Sequence, residues 1–148
     1  MKEIYNAVIA RLTEKVPALK WIDWDTAQLD VQTDRPSVKL PCALISIGIN
    51  RAKDITETIQ DCEAQVTVRL AFDRMERTNS EAAPEVREEK MLPYDVISDV
   101  YAALQGFETP QFHGLSRTSQ AKENSRNGLF IYRITFKTDF EDDTAEEQ

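Results

Sequence analysis

Apolar residues at two places in the chain recur with the period of an amphipathic helix. Residues 2–16 carry one stripe, formed by Ile4, Tyr5, Val8, Ile9, Leu12 and Val16. Pro17 follows it, and a proline cannot continue the hydrogen-bond ladder of a helix. Residues 93–105 carry a second stripe, formed by Val96, Ile97, Val100 and Leu104, between Pro93 and Gly106. The spacing therefore predicts two helices, the second starting at a proline and ending at a glycine.

Alternation of apolar and polar residues predicts three clear strands. Residues 42–51 place Ile45, Ile47 and Ile49 on one face, and residues 62–73 place Ala64, Val66, Val68, Leu70 and Phe72 on one face. Residues 129–140 place Phe130, Tyr132, Ile134, Phe136 and Phe140 together, with Leu129, Ile131, Arg133, Thr135 and Lys137 opposite. Such alternation is typical of strands with one face on a core.

Weaker signals complete the order of elements. Residues 115–123 are polar and precede an Asn127-Gly128 turn signal, which predicts a hairpin with the strand at 129–140. Trp21, Ile22 and Trp24 suggest a short strand or edge segment, and Pro36 and Pro41 mark a loop before residue 42. Residues 74–92 are almost entirely polar, which leaves open a mobile excursion or a partial helix around Val86–Lys90.

This order predicts an α+β fold, an antiparallel, mixed-order sheet with two helices packed on one face as a two-layer sandwich. We expect one domain over residues 1–140 and an acidic, disordered tail over residues 141–148. The tail holds five acidic residues. Without them, 21 acidic residues stand against 18 basic ones, so the net charge of −8 falls to −3 for the body. A basic nucleic-acid-binding surface is not supported by this total.

Length and composition limit the class of protein. A chain of 148 residues with 41% hydrophobic and 30% charged residues suits one globular domain. No apolar run approaches the roughly 18 residues of a membrane-spanning helix. The N-terminus lacks the apolar stretch and cleavage site of a signal peptide, so we expect a cytoplasmic protein.

Strand phase argues against a disulfide between the two cysteines. Cys42 lies at an even position in a strand whose apolar face is odd-numbered, whereas Cys62 lies on the even, apolar face of its strand. Without a bulge, the two sulfurs point to opposite sides of the sheet and cannot bond. We therefore expect two buried, free thiols.

Catalytic and metal-binding motifs are missing from the sequence. There is no GxSxG, no glycine-rich phosphate loop, no HExxH and no CxxC. The single imidazole, His113, falls in a predicted loop, and the pairs Glu88-Glu89 and Asp142-Asp143 lie in solvated polar runs. Trp21 and Trp24 suit core or edge packing better than a stacking platform. We expect no enzyme, no cofactor and no metal.

Three features instead point to assembly. They are strands whose second face is partly apolar, a long connection at 52–61, and the polar stretch 74–92. Arg69, Arg117, Arg133 and Lys137 could form a basic strip on the outer face, as a subunit or nucleic-acid contact or as ordinary solvated positions. The predicted subunit contacts are Arg51, Lys53, Ile55, Ile59, Arg69, Met75, Leu129, Ile131 and Arg133.

The order of elements resembles the tail terminator proteins, or tail completion proteins, of long-tailed bacteriophages. The resemblance covers residues 2–140 and includes the entry LPCALI at 40–45, the helix DVISDVYAALQG and the closing strand FIYRITFKTDF. It implies a hexameric ring that caps the tail tube, stops its polymerisation and faces the head-neck complex. It also implies host cytoplasm and virion as locations, tail-tube and head-neck proteins as partners, and passage of DNA through the ring without sequence-specific binding or a membrane. No catalytic residues carry over from this family.

Other interpretations remain open at this point. Another neck or tail-tube component of the same class of virion would share the strand-rich, self-associating character. A small-molecule-binding α+β domain would need an apolar cavity behind the sheet. An enzyme would need a convergent polar site around His113.

Overall fold

A computed structural model describes residues 1–31, 36–73, 81, 83–85, 91–125 and 127–147. Within these ranges, two α-helices and five strands make up the fold. In chain order they are α1 (Lys2–Lys15), β1 (Trp21–Trp24), β2 (Cys42–Asp54), β3 (Gln60–Phe72), α2 (Leu92–Leu104), β4 (Ser116–Glu123) and β5 (Phe130–Asp142). Both helices and all five strands were predicted from the sequence close to these bounds.

The five strands form one mixed sheet in the order β1-β2-β3-β5-β4. The short strand β1 lies parallel to β2, and the other three pairings are antiparallel. Helices α1 and α2 pack on the same face of the sheet, which we call the helix face, and Arg11 Nε of α1 donates a hydrogen bond to the Ala103 carbonyl of α2 at 2.9 Å. The predicted α+β fold with two helices on one face is confirmed.

The main core lies between the helices and the sheet. Its side chains are those that the two periodicities selected, and several are fully buried, including Val8, Leu12, Val68, Ile134 and Phe136. Each such side chain contributes about 1.5–3 kcal/mol to the free energy of folding through the apolar surface it removes from water. The core therefore fixes which face of each strand points toward the helices.

A second, smaller core lies on the opposite face of the sheet, which the sequence analysis left open to solvent or to a partner. Its buried members come from the segment after β1, from β2, β3 and β5, and from the residue that precedes β5: Leu29, Cys42, Leu44, Ala71, Leu129 and Ile131. Described residues between β1 and β2, Leu29, Val38 and Leu40, pack on this face and cover it. Their turn is held by hydrogen bonds from the Ala27 amide to Asp25 Oδ1 at 3.0 Å and from the Asp30 amide to the Ala27 carbonyl at 3.1 Å.

The cysteine prediction is confirmed, because both cysteines are free and buried on opposite faces. Cys42 belongs to the second core and Cys62 to the main core. Burial raises the pKa of the Cys42 thiol to about 11, and it also raises the pKa of Cys62. Both thiols are therefore protonated at neutral pH.

Two element ends differ from the prediction. Strand β5 continues to Asp142, so Glu141 and Asp142 of the predicted tail pair with Asp61 and Gln60 of β3. Residues Thr144–Glu147 then form one turn of 3-10 helix. The connection between β4 and β5 is longer than a two-residue hairpin loop, although Gly128 adopts the positive φ of 78° that its turn signal predicts.

Candidate interaction surfaces

The outer parts of β2 and β3 form a hairpin that contains Cys62 and Ala64 of the main core and extends beyond them to an exposed tip. We call residues 48–65 the distal hairpin. A register shift between Ile49 and Arg51 marks a bulge in β2, after which pairing resumes as far as Asp54 and Gln60. The tip is an ordered turn, because the Ile55 amide donates to the Ile59 carbonyl at 2.8 Å. The predicted long connection at 52–61 is therefore half strand, at 52–54 and 60–61, with a five-residue loop between.

Four of the predicted contact residues come together on the distal hairpin. Arg51, Lys53 and Ile55 are exposed, and Ile59 is half-buried. Ile55 keeps 56% of its surface accessible at the tip. The Arg51–Glu63 ion pair, 3.4 Å long, leaves 78% of the arginine side chain exposed and contributes at most about 1 kcal/mol. The hairpin is thus an accessible surface with mixed charge and an apolar tip.

Leu129 and Ile131 are not accessible, in contrast to their assignment as subunit contacts. They are 7% and 1% exposed, and they belong to the second core beneath the segment that follows β1. Their apolar character is explained by packing within the chain. A charge placed at Ile131 would disrupt this core, so such a substitution reports on folding and not on assembly.

Arg69 lies at the centre of an ion-pair network on the outer face of the sheet, the face opposite the helices. Its Nε donates to Glu123 Oε2 at 2.9 Å, and its terminal nitrogens reach Asp25 at 3.2 Å and Asp30 at 3.0 Å. Burial opposes the charge of the guanidinium, but the hydrogen bonds to Asp30 and Glu123 outweigh it and raise the pKa of Arg69 further. With its side chain only 12% exposed, Arg69 joins β3 to β4 and to the segment after β1. It was predicted as a subunit contact, and the structure engages it inside the chain.

The predicted basic strip on the outer face is incomplete. Arg133 and Lys137 are exposed there, and Arg133 Nη1 lies 3.6 Å from Glu123 Oε1. Arg117, however, lies on the helix face, with its guanidinium 3.9 Å from the centroid of the Tyr101 ring. Met75, the remaining predicted contact, lies outside the described residues. What remains on the outer face is an open polar groove of about 680 Å³ beside Arg133.

The described residues that the sequence analysis considered for catalysis, stacking or metal binding make other contacts within the chain or lie far from one another. His113 is exposed in a loop, and its amide donates to the Asp139 carbonyl at 3.0 Å. The Trp24 ring stacks on Tyr5 at a centroid distance of 3.6 Å, and Trp21 packs against the second core. Asp142 accepts hydrogen bonds from the Thr144 side chain and amide, which lower its pKa. The Glu88-Glu89 pair lies outside the described residues.

Within residues 1–31, 36–73 and the later described ranges, no group of three or more histidine, cysteine, aspartate or glutamate side chains could hold a metal ion. None of the helices in the same part of the chain is long and apolar enough to cross a membrane.

Two sheet edges have no further strand beside them among the described residues, and sequence reasoning missed them. Strand β1 pairs only with Cys42–Ile45, so the rest of β2 has no strand on its outer side among the described residues. Strand β4 is the opposite edge of the sheet. The clue in the sequence was the brevity of the Trp21–Trp24 segment beside a predicted ten-residue strand.

Comparison with known proteins identifies solved structures with a similar fold. No family model matches the chain, and no curated protein matches it in sequence. Among solved structures, the chain is similar to a chain of the structure titled "Virion of native gene transfer agent (GTA) particle". The two share 12% sequence identity with a TM-score of 0.56, over 93% of this chain and 94% of the other. At this identity the match establishes a shared fold.

Proposed function

We propose that this protein is a virion structural protein, and that it acts as a tail terminator which closes the end of a tail tube as an oligomeric ring. The observation that carries the proposal is the fold shared with a chain of the gene transfer agent virion over nearly the full length of both chains. The order of elements, which resembles tail terminators, supports the same assignment independently of that comparison.

The surfaces of the chain suit assembly. The distal hairpin extends a mixed-charge surface with an exposed isoleucine at its tip. Two open sheet edges offer backbone hydrogen-bonding groups to neighbours. A heterologous contact between identical copies closes into a ring when its rotation closes, and a closed ring ends a stack. The partners in this proposal are other copies, a tail-tube protein and a head-neck protein.

The net charge of −8 agrees with a ring through which DNA passes without binding. In this proposal the protein is not an enzyme and needs no cofactor. It assembles in the host cytoplasm and remains in the virion.

Negative-stain electron microscopy of the purified chain tests the proposal. We expect closed rings of uniform diameter with a central opening. Open filaments would contradict the terminator assignment and would favour a tail-tube component. Monomeric particles at every concentration, with and without tail tubes, would contradict a structural role.

A further inference from the structure

The open edge of β2 begins where β1 ends. The last backbone hydrogen bond on that side runs from the Asp25 amide to the Ile45 carbonyl at 3.0 Å. From Ser46 onward, no strand lies on the β1 side of β2 in the part of the chain that the structure describes. This stretch contains no proline and exposes Gly48 and Ile49, the latter to 43%. Its outward amides and carbonyls can therefore accept another strand.

The open edge of β4 is of similar length. Near its start, the Arg117 amide already donates to Gln105 Oε1 at 2.9 Å, so this position is occupied by the chain's own side chain. The stretch Thr118–Glu123 follows, with a bulge between Arg117 and Ser119. This stretch has six residues, the same length as Ser46–Arg51 of β2.

Strand directions make the two edges complementary. In the sheet order β1-β2-β3-β5-β4, the antiparallel pairings make β2 and β5 run one way, and β3 and β4 run the other. A second copy whose sheet continues past β2, with its helices on the same side, therefore presents β4 antiparallel to β2. Such a head-to-tail pairing can repeat from copy to copy and can close into a ring.

Side-chain faces select a register. Ile47 and Ile49 lie on the helix face, because they pair with Val66 and Ala64 of the main core. On β4, Gln120 and Lys122 lie on that face, because they pair with Ile134 and Tyr132. When Gly48 lies opposite Ala121 of a neighbouring copy, the helix faces of both copies lie on the same side of the joined sheet. In the regular part of both strands, before the irregularities at Asn50 and Thr118, the same register places Ser46 opposite Glu123 and Ile49 opposite Gln120, so no like charges face each other.

The charge pattern disfavours pairing of β4 with itself. When two copies of Ser116–Glu123 pair antiparallel about their midpoint, Arg117 of each copy faces Lys122 of the other. Like charges directly opposite each other destabilise a strand pair. The edge of β4 is therefore better matched by β2 than by a second β4.

We propose that Ser46–Arg51 of β2 pairs with Thr118–Glu123 of β4 from a second copy of this chain, as an antiparallel ladder that continues the sheet between subunits. The inference rests on the proposed function, since it names the surface through which the copies join.

Engineered cysteines test this ladder. Opposite residues of an antiparallel pair have Cα atoms roughly 4.5–5.5 Å apart, within the range of a disulfide. Gly48→Cys adds a side chain into open space, and Ala121→Cys replaces an exposed residue. The two native cysteines are buried and can remain. A matched control combines Gly48→Cys with Glu14→Cys, an exposed position on α1.

The chains are oxidised and separated on a non-reducing denaturing gel, with the solution mass measured on the same samples. We expect a mixture of the Gly48→Cys and Ala121→Cys chains to give a disulfide-linked pair, and the doubly substituted chain to give a ladder of multiples. Each single variant alone and the control mixture should give at least tenfold less product.

Two results would overturn the ladder and leave the proposed function intact. One is efficient crosslinking of Gly48→Cys alone, which indicates pairing of β2 with β2. The other is an oligomeric mass without the mixed crosslink, for the variants as for the unmodified chain. A monomeric mass at every concentration, without crosslinks, would overturn both the ladder and the proposed assembly.

Discussion

Replacing Arg69 with methionine should destabilise the protein far more than replacing its neighbour Arg133. Methionine keeps most of the length of the arginine stem but removes the charge and all five donors. Arg69 is 12% exposed and holds three carboxylates, whereas Arg133 is 48% exposed and contacts one of them at 3.6 Å. Arg133→Met is therefore a matched control on an adjacent strand.

The contacts indicate the size of the effect. The bonds to Glu123 and Asp25 are partly shielded, with these carboxylates 20% and 14% exposed, and hydrogen bonds to charged groups contribute about 1.5–3 kcal/mol each. Asp30 is 55% exposed, so its pair adds about 0–1 kcal/mol. Because methionine recovers part of the packing, we expect a loss of about 3 kcal/mol, compared with less than about 1 kcal/mol for Arg133→Met.

Urea denaturation followed by tryptophan fluorescence measures both variants. Trp21 and Trp24 lie on β1, next to the segment that Arg69 holds in place. Hydrogen exchange should locate the change. Arg69→Met should increase the exchange rate of the Asp30 amide more than the exchange rates of amides in α1, each relative to the unmodified chain. Equal destabilisation by the two substitutions, or a loss below 1 kcal/mol for Arg69→Met, would refute a stabilising role for the network.

Three further predictions concern assembly, the second core and pH. Ile55→Asp should change the free energy of unfolding by less than about 0.5 kcal/mol, because the side chain is exposed, and should lower the solution mass if the hairpin tip is a contact; an unchanged mass would exclude the tip. Ile131→Ala should cost about 2–5 kcal/mol in urea denaturation, and a loss below 1 kcal/mol would contradict its burial. The pKa of Cys42 is raised from 9.0 to about 11, so the folded state keeps a proton that the unfolded chain releases above pH 9. Stability is therefore lost as pH rises through this window, by about 1.4 kcal/mol between pH 8 and pH 10, and a Cys42→Ala variant should lack this part of the loss.

Local pattern was sufficient to predict the elements and the helix face. Alternation in β3 and β5 and the two helical stripes depend on neighbours in sequence, so they can be read before the fold is known. The opposite phases of Cys42 and Cys62 follow from the same alternation. These features required no knowledge of which strands are neighbours.

The second core could not be predicted in this way. Leu29 lies in a segment without periodicity, and it is buried because that segment folds across residues distant in sequence, such as Leu129 and Ile131. An apolar residue on the outer face of a strand indicates that something covers it, but the pattern does not say whether the cover is the same chain or another subunit. The same limit applies to Arg69, whose three partners come from two other segments.

The central claim is that copies of this chain join into a closed assembly, and the solution mass across a concentration series tests it most directly. Light scattering coupled to size-exclusion chromatography should show a discrete species near six times the protomer mass of 16.9 kDa, constant over a range of concentrations. A mass that grows without limit would contradict closure, and a mass equal to one protomer throughout would contradict self-assembly.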